Sequence, residues 1–190
     1  MPTPEALEAA QLIDRLERLA RSGEQTGGLN PAQWEALRYL AHANRFSRTP
    51  AALADYLAST RGTVSQTLIA LVEKGLVART PSARDKRSVE LSLTAHGEAM
   101  LRSDPLLALA RDIDGAAGRR ARDLAASLRA TLRNAIARND GRAFGACLTC
   151  RHFRADVRRS GPPHHCALLD EPLSEADSRA ICVEQEPAAA

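Results

Sequence analysis

A helix-sized stretch between Thr60 and Gly75 constrains the fold of this chain more than any other segment. The Thr60 hydroxyl oxygen can accept an amide proton of the first turn, and Gly75 can adopt the positive φ that ends a helix at little cost. The apolar face of this helix is expected to carry Val64, Leu68, Leu71 and Val72. Its opposite face is expected to carry the small or polar residues Gly62, Thr63, Gln66, Ala70 and Glu73. The stretch therefore predicts a half-buried helix whose outward face has little bulk.

The residues after this helix predict a β-hairpin with a basic tip. A first strand is expected over residues 76–80, and a second where Val89, Leu91 and Leu93 alternate with polar residues. Residues 79–87 contain four basic side chains and one aspartate, a local balance of +3. Helix, hairpin and basic tip in this order are typical of a winged helix, whose helix enters the major groove of DNA while the tip reaches phosphates or the minor groove.

The start of the next helix carries a recognisable motif. In the run DKRSVELSLTAHGEA, the residues Asp85, Arg87, Leu93, Thr94 and Gly97 form the arrangement D-x-R…L-T-x-x-G. This arrangement resembles the multiple-antibiotic-resistance regulator (MarR) family, and VSQTLIALVEKGLVAR is similar to that family's recognition helix and first wing strand. The resemblance covers about residues 5–140. It implies a homodimeric regulator that binds operator DNA, and many members of the family also bind a small effector near the dimer interface.

Two groups of DNA-contacting residues are predicted on this unit. Thr63 and Gln66 are expected to read base edges, and Ala70 a thymine methyl group. The residues expected at phosphates are Ser59, Arg61, Ser65 and Thr67 around the helix, and Arg84, Lys86 and Arg87 on the wing. The net charge of +3 over 190 residues is only mildly basic, so DNA affinity has to come from this local clustering.

Helical segments on both sides of the winged unit predict dimerisation elements. Residues 4–22 carry an apolar stripe, and a helix over about residues 118–138 has leucines at four-residue steps. By the resemblance, both helices are expected to take part in the dimer. The predicted fold is mainly α with a small β-wing: a winged helix-turn-helix with N- and C-terminal dimerisation helices and a C-terminal metal-binding tail of four cysteines.

All four cysteines follow the turn signal Asn139-Asp140-Gly141, which predicts a domain boundary. We therefore expect a DNA-binding and dimerisation domain over residues 1–140 and a metal-binding tail over residues 141–190. The cysteines are Cys147, Cys150, Cys166 and Cys182, with the spacing C-x2-C-x15-C-x15-C. A C-x-x-C pair can direct two thiolates at one ion, and disulfides are disfavoured in the cytoplasm. Four thiolates suit either tetrahedral zinc or an iron–sulfur cluster.

The surroundings of the cysteines favour iron and sulfur. The fragments CLTCRHF, HHCALLD and AICVEQ resemble the high-potential iron–sulfur proteins, which hold a cubane [4Fe-4S] cluster. The chain departs from those proteins in lacking aromatic residues near Cys182, with only Phe144 and Phe153 close to the motif. Structural Zn2+ is the alternative, and a thiol or disulfide switch stays open. The nearby histidines, which are His152, His164 and His165, are expected to be bystanders.

These patterns predict a cytoplasmic regulator that is not an enzyme and whose cluster senses redox state, oxygen or nitric oxide. A change in the cluster is expected to alter the packing of the tail on the dimerisation helices and thus the spacing of the recognition helices. The first alternative is a structural zinc tail with an organic effector, and the second is an electron-transfer or scaffold protein. No apolar run is long enough to span a bilayer, no secretory signal is visible, and the acidic segment 167–186 is expected to be solvated surface.

Overall fold

Seven helices and a two-stranded wing precede a small cysteine-containing unit in the computed structural model, which describes residues 1–23, 28–82, 88–139 and 141–188. In chain order the first elements are α1 (Pro4–Gly23), α2 (Pro31–His42), α3 (Pro50–Tyr56), α4 (Arg61–Glu73), β1 (Val77–Pro81), β2 (Val89–Leu93) and α5 (Ala95–Leu101). They are followed by α6 (Leu106–Ala117), a 3-10 turn (Gly118–Arg120), α7 (Ala121–Arg138), a 3-10 turn (Cys147–Thr149), β3 (Phe153–Arg154), β4 (His164–Cys166), β5 (Glu171–Leu173) and α8 (Glu175–Arg179).

The predicted helix starts are confirmed by their capping bonds. The side chain of Asn30 accepts from the Gln33 amide at 3.0 Å, and the Gln33 side chain accepts in return from the Asn30 amide at 3.2 Å. Thr49 caps α3, and Thr60 accepts from the Thr63 amide at 3.1 Å at the start of α4. Each of these caps satisfies an amide that the helix itself leaves without a partner. The end of α4 was also predicted, since a φ of +67° at Gly75 follows its C-cap.

The core of the winged unit lies between α2, α3, α4 and the wing. Trp34, Leu53 and Leu91 are buried there, as are Val64, Leu68 and Leu71 from α4. The prediction that Val72 shares this buried face is wrong, because its side chain is 39% exposed. Val72 is one position beyond Leu71, and a step of about 100° carries it off the narrow face that packs on the core.

The wing is a hairpin in which Val77 pairs with Leu93 and Pro81 with Val89. The chain then turns sharply into α5, because the Thr94 hydroxyl donates to the Gly75 carbonyl at 2.7 Å and the Thr94 amide donates to the Leu76 carbonyl at 3.1 Å. A Cβ at Gly97 would overlap the Leu76 carbonyl oxygen. The threonine and glycine of the motif are therefore explained by one close crossing of α5 over the start of β1.

The outer helices α1, α6 and α7 present leucine stripes to solvent. None of their described side chains is buried in the single chain. The exposed residues include Leu12, Leu16 and Leu19 on α1, Leu106 and Leu107 on α6, and Leu124, Leu128 and Leu132 on α7. Apolar surface of this extent marks an interaction surface. Across the part of the chain that the structure describes, no helix has the length and apolar character to cross a membrane.

Candidate nucleic-acid interface and cysteine centre

The outward face of α4 carries the side chains predicted to read bases. Thr63 and Gln66 are exposed, as are Arg61 and Ser65, while Ala70 is half-buried. The hydroxyls of Thr60 and Thr63 lie 2.9 Å apart, so the N-terminal cap also fixes the position of Thr63. The face is therefore small and polar and lies at the end of the helix where amide dipoles favour an anion.

Two of the predicted phosphate contacts are partly shielded. Thr67 is half-buried, and its hydroxyl donates to the Thr63 carbonyl of the same helix at 3.1 Å. Ser59 is half-buried in the turn before α4, where its amide donates to the Ala54 carbonyl at 3.0 Å. The predicted wing contacts Arg84, Lys86 and Arg87 lie outside the described residues. The base of the wing tip is closed by the Ser82 amide, which donates to the Ser88 carbonyl at 3.0 Å.

The tail brings three of its cysteines into one apolar cluster. Cys147 and Cys182 are buried with Leu173, and Cys166 packs against them. Two backbone pairings produce this arrangement: Cys166 lies opposite Phe153 in the β3–β4 pair, and the Cys182 amide donates to the Gly145 carbonyl at 3.0 Å. All four cysteines are free thiols.

Cys150 lies one turn along from Cys147. The Cys150 amide donates to the Cys147 carbonyl at 2.8 Å and closes the 3-10 turn, in which positions three apart lie above each other. The turn therefore brings the backbones of the two cysteines of C-x-x-C close together. Within residues 1–23, 28–82, 88–139 and 141–188, no three His, Cys, Asp or Glu side chains already have the geometry of a metal site.

The buried cysteines Cys147 and Cys182 shift each other's pKa in opposite directions. The Cys147 thiol donates to the Cys182 sulfur and thereby lowers the pKa of Cys182, although burial opposes this effect. The neighbouring side chain of Asn44 and the backbone of Glu184 also lower the pKa of Cys182. The pKa of Cys147 is raised in turn, because its proton is held by Cys182 and because it is buried. Thiolates bind metal ions, so this polar surrounding favours the reactive form of Cys182.

Residues of the winged unit that were not predicted as site residues complete the surroundings of the cysteines. Phe46 packs against the cysteine cluster together with Phe153. The Asn44 side-chain amide donates to the Cys147 sulfur at 3.8 Å. These contacts join positions about a hundred residues apart, and nothing in the local pattern around Asn44 signals them. The sequence predicted few aromatic residues near the cysteines. Phe46 supplies one of them from the α2–α3 connection, which comprises residues 43–49.

The acidic segment of the tail is more than solvated surface. Arg45 binds Asp177 at 3.1 Å and Glu171 at 3.4 Å, and it also donates to the Pro172 carbonyl at 2.6 Å. The same guanidinium lies 4.5 Å from the centroid of the Phe46 ring. The negative charge of the tail is therefore used in part to hold it on the winged unit.

The three histidines of the tail lie close to carboxylates. His164 is buried, with its Nδ1 accepting from the Asp156 amide at 3.1 Å and its Nε2 lying 3.1 Å from Glu175. This network places the ring proton on Nε2. His165 lies 3.2 Å from Asp170 and His152 lies 3.3 Å from Glu186. The buried His164 thus links Asp156 to Glu175 within the tail.

The tail packs against the α2–α3 connection and α3, whereas the sequence hypothesis placed it on the dimerisation helices. The Phe144 ring contacts Tyr56 edge-on at 5.2 Å, and Ile181 forms single β-bridges with both Ala43 and Ala146. A cleft of about 630 Å³ separates the tail from the base of the wing. It is lined by Arg45, Phe46, Thr49, Ser82, Ser88, Glu90 and Glu171. The cysteine centre is therefore adjacent to the DNA-reading unit of its own chain.

Comparisons with known proteins agree with this architecture. Residues 27–88 match the family model described as the MarR family. Similar solved structures include the transcriptional regulator BldR from Sulfolobus solfataricus, at a TM-score of 0.58 and 20% identity over 70% of this chain and 99% of that one. The S. aureus MepR–DNA complex has a TM-score of 0.54 at 19% identity, again over 70% and 99% of the two chains. The multiple antibiotic resistance repressor MarR has a TM-score of 0.52 at 24% identity over 72% and 97%.

A comparison with curated protein sequences gives no match. The solved structures share the fold at low identity, and the family match covers residues 27–88 within the span of about 5–140 over which the sequence resemblance was drawn. Residues 27–88 are therefore similar to the MarR family model, and the mainly helical winged helix-turn-helix is confirmed as the fold of the chain. The dimerisation role of the outer helices and the metal-binding role of the tail stay predictions.

Proposed function

We propose that the protein is a homodimeric transcription regulator that binds operator DNA through α4 and the wing. The observation that carries this proposal is the outward face of α4, where Thr63 and Gln66 are exposed beside a cap that fixes the helix start. Small polar side chains on such a face can approach base edges in the major groove. The MepR–DNA complex gives a precedent for DNA binding by this fold.

The exposed leucines of α1, α6 and α7 support a homodimer. An operator-binding dimer places two recognition helices in major grooves about one turn of DNA apart. Burial of the leucine stripes against a second copy would join the two winged units and set that distance. This dimer requires both the N-terminal and the C-terminal helices, which agrees with the resemblance drawn from the sequence.

DNA binding is tested with the purified full-length protein and duplexes that it selects from a random-sequence library. We expect one duplex family to be enriched, and its affinity to fall steeply with salt because lysines and arginines displace counterions from phosphates. Replacement of Gln66 by alanine should relax the preference at one base-pair position. Weak binding without salt dependence would instead favour the electron-transfer or scaffold function.

We further propose that Cys147, Cys150, Cys166 and Cys182 hold a [4Fe-4S] cluster that senses redox state, oxygen or nitric oxide. Support comes from the packing of Cys147, Cys166 and Cys182 into one cluster lined by Phe46 and Phe153. An apolar, aromatic lining limits the access of water to a bound cluster and influences its potential. The cluster would supply the sensing chemistry, while these four thiols would act as its ligands.

Zinc is the second candidate for the same four thiols. The cleft of about 410 Å³ between α1 and α6 favours this alternative, because it offers an organic effector a separate site. It is lined by Leu16, Leu19, Ala20, Ser103, Pro105, Ala108, Leu109 and Asp112. In that version the tail is structural, and removal of zinc unfolds it while the operator affinity is unchanged.

An absorption spectrum of anaerobically purified protein, with iron, sulfide and zinc assayed on the same sample, separates the two. Equal amounts of iron and sulfide with a broad band near the blue end support the cluster. A colourless protein with zinc supports the structural tail. Cys166→Ser should lose either centre, whereas Ser160→Ala in the exposed loop between β3 and β4 should keep it. Full loading of the Cys166→Ser variant would remove that residue from the ligand set.

A further inference from the structure

The buried residues Asn44 and Ser47 join the cysteine centre to the α2–α3 connection. Asn44 is 2% exposed and Ser47 is 0% exposed. The side-chain oxygen of Asn44, Oδ1, accepts from the Ser47 amide at 3.0 Å and from the Ser47 hydroxyl at 2.8 Å. It also accepts from the Phe46 amide at 3.1 Å. One side-chain oxygen thus fixes the conformation of the connection.

The other end of the same side chain faces sulfur. The Asn44 Nδ2 donates to the Cys147 sulfur at 3.8 Å, and Cys182 is buried in the same cluster as Cys147. A side-chain amide donates through its nitrogen and accepts through its oxygen, so this group can hold the Cys147 sulfur while its oxygen holds the connection. Asn44 therefore links Cys147 directly to the connection.

Ser47 forms a second link of the same kind. Its hydroxyl oxygen accepts from the Val183 amide at 2.8 Å, directly after Cys182 in the chain. The Ser47 carbonyl accepts from the Tyr39 hydroxyl at 2.7 Å. On the other side of Cys182, the Ile181 amide donates to the His42 carbonyl at 2.8 Å. Both chain neighbours of Cys182 are therefore hydrogen-bonded to the end of α2 or to the connection.

The connection leads directly to the elements that read DNA. The Ser47 carbonyl also accepts from the amide of Thr49, and Thr49 is the N-cap of α3. The Arg48 carbonyl accepts from the Leu91 amide at 2.7 Å, which ties the connection to strand β2 of the wing. A shift at Asn44 or Ser47 therefore reaches α3 and the wing through one or two residues.

We propose that Asn44 and Ser47 are positioning residues that transmit the state of the cysteine centre to α3 and the wing of the same chain. This inference rests on the proposed function, namely a metal centre that regulates operator binding. Loading of the four thiols orders the tail and holds the Cys147 sulfur and the backbone around Cys182 in one arrangement. The connection then has a single conformation, which sets α3 and the wing for DNA. Loss of the centre removes this constraint from the connection.

The test uses the full-length protein, reconstituted anaerobically with ferrous iron and sulfide or with zinc, or stripped of metal. The probe is a duplex that the wild type selects from a random-sequence library, at fixed salt. We expect the wild type to show a ratio of about 10-fold between the affinities of the loaded and stripped forms, within the usual range for coupled sites. Asn44→Asp keeps the oxygen that holds the connection but replaces the donor that faces the Cys147 sulfur. Ser47→Ala removes the acceptor of the Val183 amide.

Both variants are expected to bind metal at saturating concentration and to reduce the affinity ratio to below about 2-fold. Ser178→Ala is the matched control, because Ser178 is also fully buried and donates to the Glu175 carbonyl within the tail. Its affinity ratio should match the wild type. A purely structural role for Asn44 and Ser47 would change stability while leaving the ratio intact.

Hydrogen exchange supplies a readout that does not depend on DNA. In the wild type, removal of metal should speed exchange at the amides of Leu91 and Val183, which donate to Arg48 and Ser47. In the two variants these amides should exchange at rates that do not respond to metal. If loaded and stripped wild-type protein bind the duplex with equal affinity, both the proposed sensing function and the transmission are overturned. If both variants keep the wild-type ratio between the affinities of the loaded and stripped forms, only the transmission through Asn44 and Ser47 is overturned.

Discussion

Arg38 holds both carboxylate oxygens of Asp104 and thereby joins α2 to the start of α6. Arg38 Nε lies 2.8 Å from Oδ2, and Nη2 lies 2.6 Å from Oδ1. The Leu106 amide donates to the same Oδ1 at 2.8 Å, so Asp104 also provides an acceptor to the first turn of α6. This paired contact therefore holds the start of α6 against α2.

Replacement of Asp104 by asparagine should lower the free energy of unfolding by about 2 kcal/mol, because a shielded Arg38 loses its charged partner. Chemical unfolding followed by circular dichroism at one fixed protein concentration measures the change. Asp114→Asn on the exposed surface of α6 is the control and should lie within about 0.5 kcal/mol of the wild type. Equal effects of the two substitutions would contradict a stabilising role for the ion pair.

The same ion pair predicts a dependence of stability on pH. Burial alone would raise the pKa of Asp104, but the hydrogen bonds from Arg38 and Leu106 lower it below its usual range. The contribution of ionised Asp104 to the free energy of unfolding is therefore complete above the unfolded-state pKa of about 4. It is lost as the pH falls through the lower folded-state pKa. The stability difference between wild type and Asp104→Asn should shrink between pH 7 and pH 3. A difference that is constant over this range would exclude the effect.

Gly97→Ala should destabilise the protein by about 2 kcal/mol or more, because the new methyl group overlaps the Leu76 carbonyl where α5 crosses β1. Gly115→Ala is the matched control, since a Cβ at that position on α6 meets no other atom. This control should raise helix stability by about 0.5–1 kcal/mol. Thermal unfolding of both variants at equal concentration measures the contrast. Similar melting temperatures for the two variants would show that α5 and β1 can move apart at little cost to accommodate the new methyl group.

Gln66 and Lys86 should affect DNA binding in different ways. Gln66→Ala is expected to cost ~1–3 kcal/mol at one base-pair position and to leave other positions unchanged. Lys86→Ala is expected to weaken binding to all duplexes alike and to reduce the slope of log affinity against log salt by about 1. Gel-shift titrations over single-base operator variants at several salt concentrations separate these effects. A uniform loss with Gln66→Ala would place that side chain at the phosphates.

The leucine stripe of α7 should be required for the dimer. Leu128→Glu combined with Leu132→Glu places two charges on this apolar face and is expected to give monomers with weak operator binding. Ala126→Glu is the control, because Ala126 lies on the opposite face of the same helix and is exposed. Sedimentation of the variants gives the oligomeric state. Dimers in the double variant would exclude α7 from the interface.

Local patterns were sufficient to predict the winged unit. The caps at Asn30, Thr49 and Thr60 depend on residues within one helical turn, and the hairpin depends on the alternation over Val89–Leu93. The failure at Val72 has a different origin. Periodicity identifies a stripe, but the width of the buried face depends on what packs against it. Sequence periodicity alone could not give that width.

The surroundings of the cysteines could not be predicted for a related reason. The sequence shows four cysteines in the tail, but Phe46 and Asn44 reach them from the connection between α2 and α3. Such contacts depend on where the tail docks, and docking is decided by long-range pairs such as Arg45 with Asp177. The sequence immediately around each residue does not indicate which distant residue it will pair with. The contact surface of the tail on the α2–α3 connection and α3 therefore could not be predicted from the sequence.

The single β-bridges of Ile181 determine how far the tail can be separated from the rest of the protein. This residue pairs with Ala43 of the winged unit on one side and with Ala146 of the tail on the other. A graft of residues 141–188 onto another protein would leave one edge of Ile181 without a partner and would omit Asn44 and Phe46. The cysteine unit therefore cannot be transferred to another protein as an isolated segment. Its acquisition by a winged helix requires matching changes in the host at the α2–α3 connection.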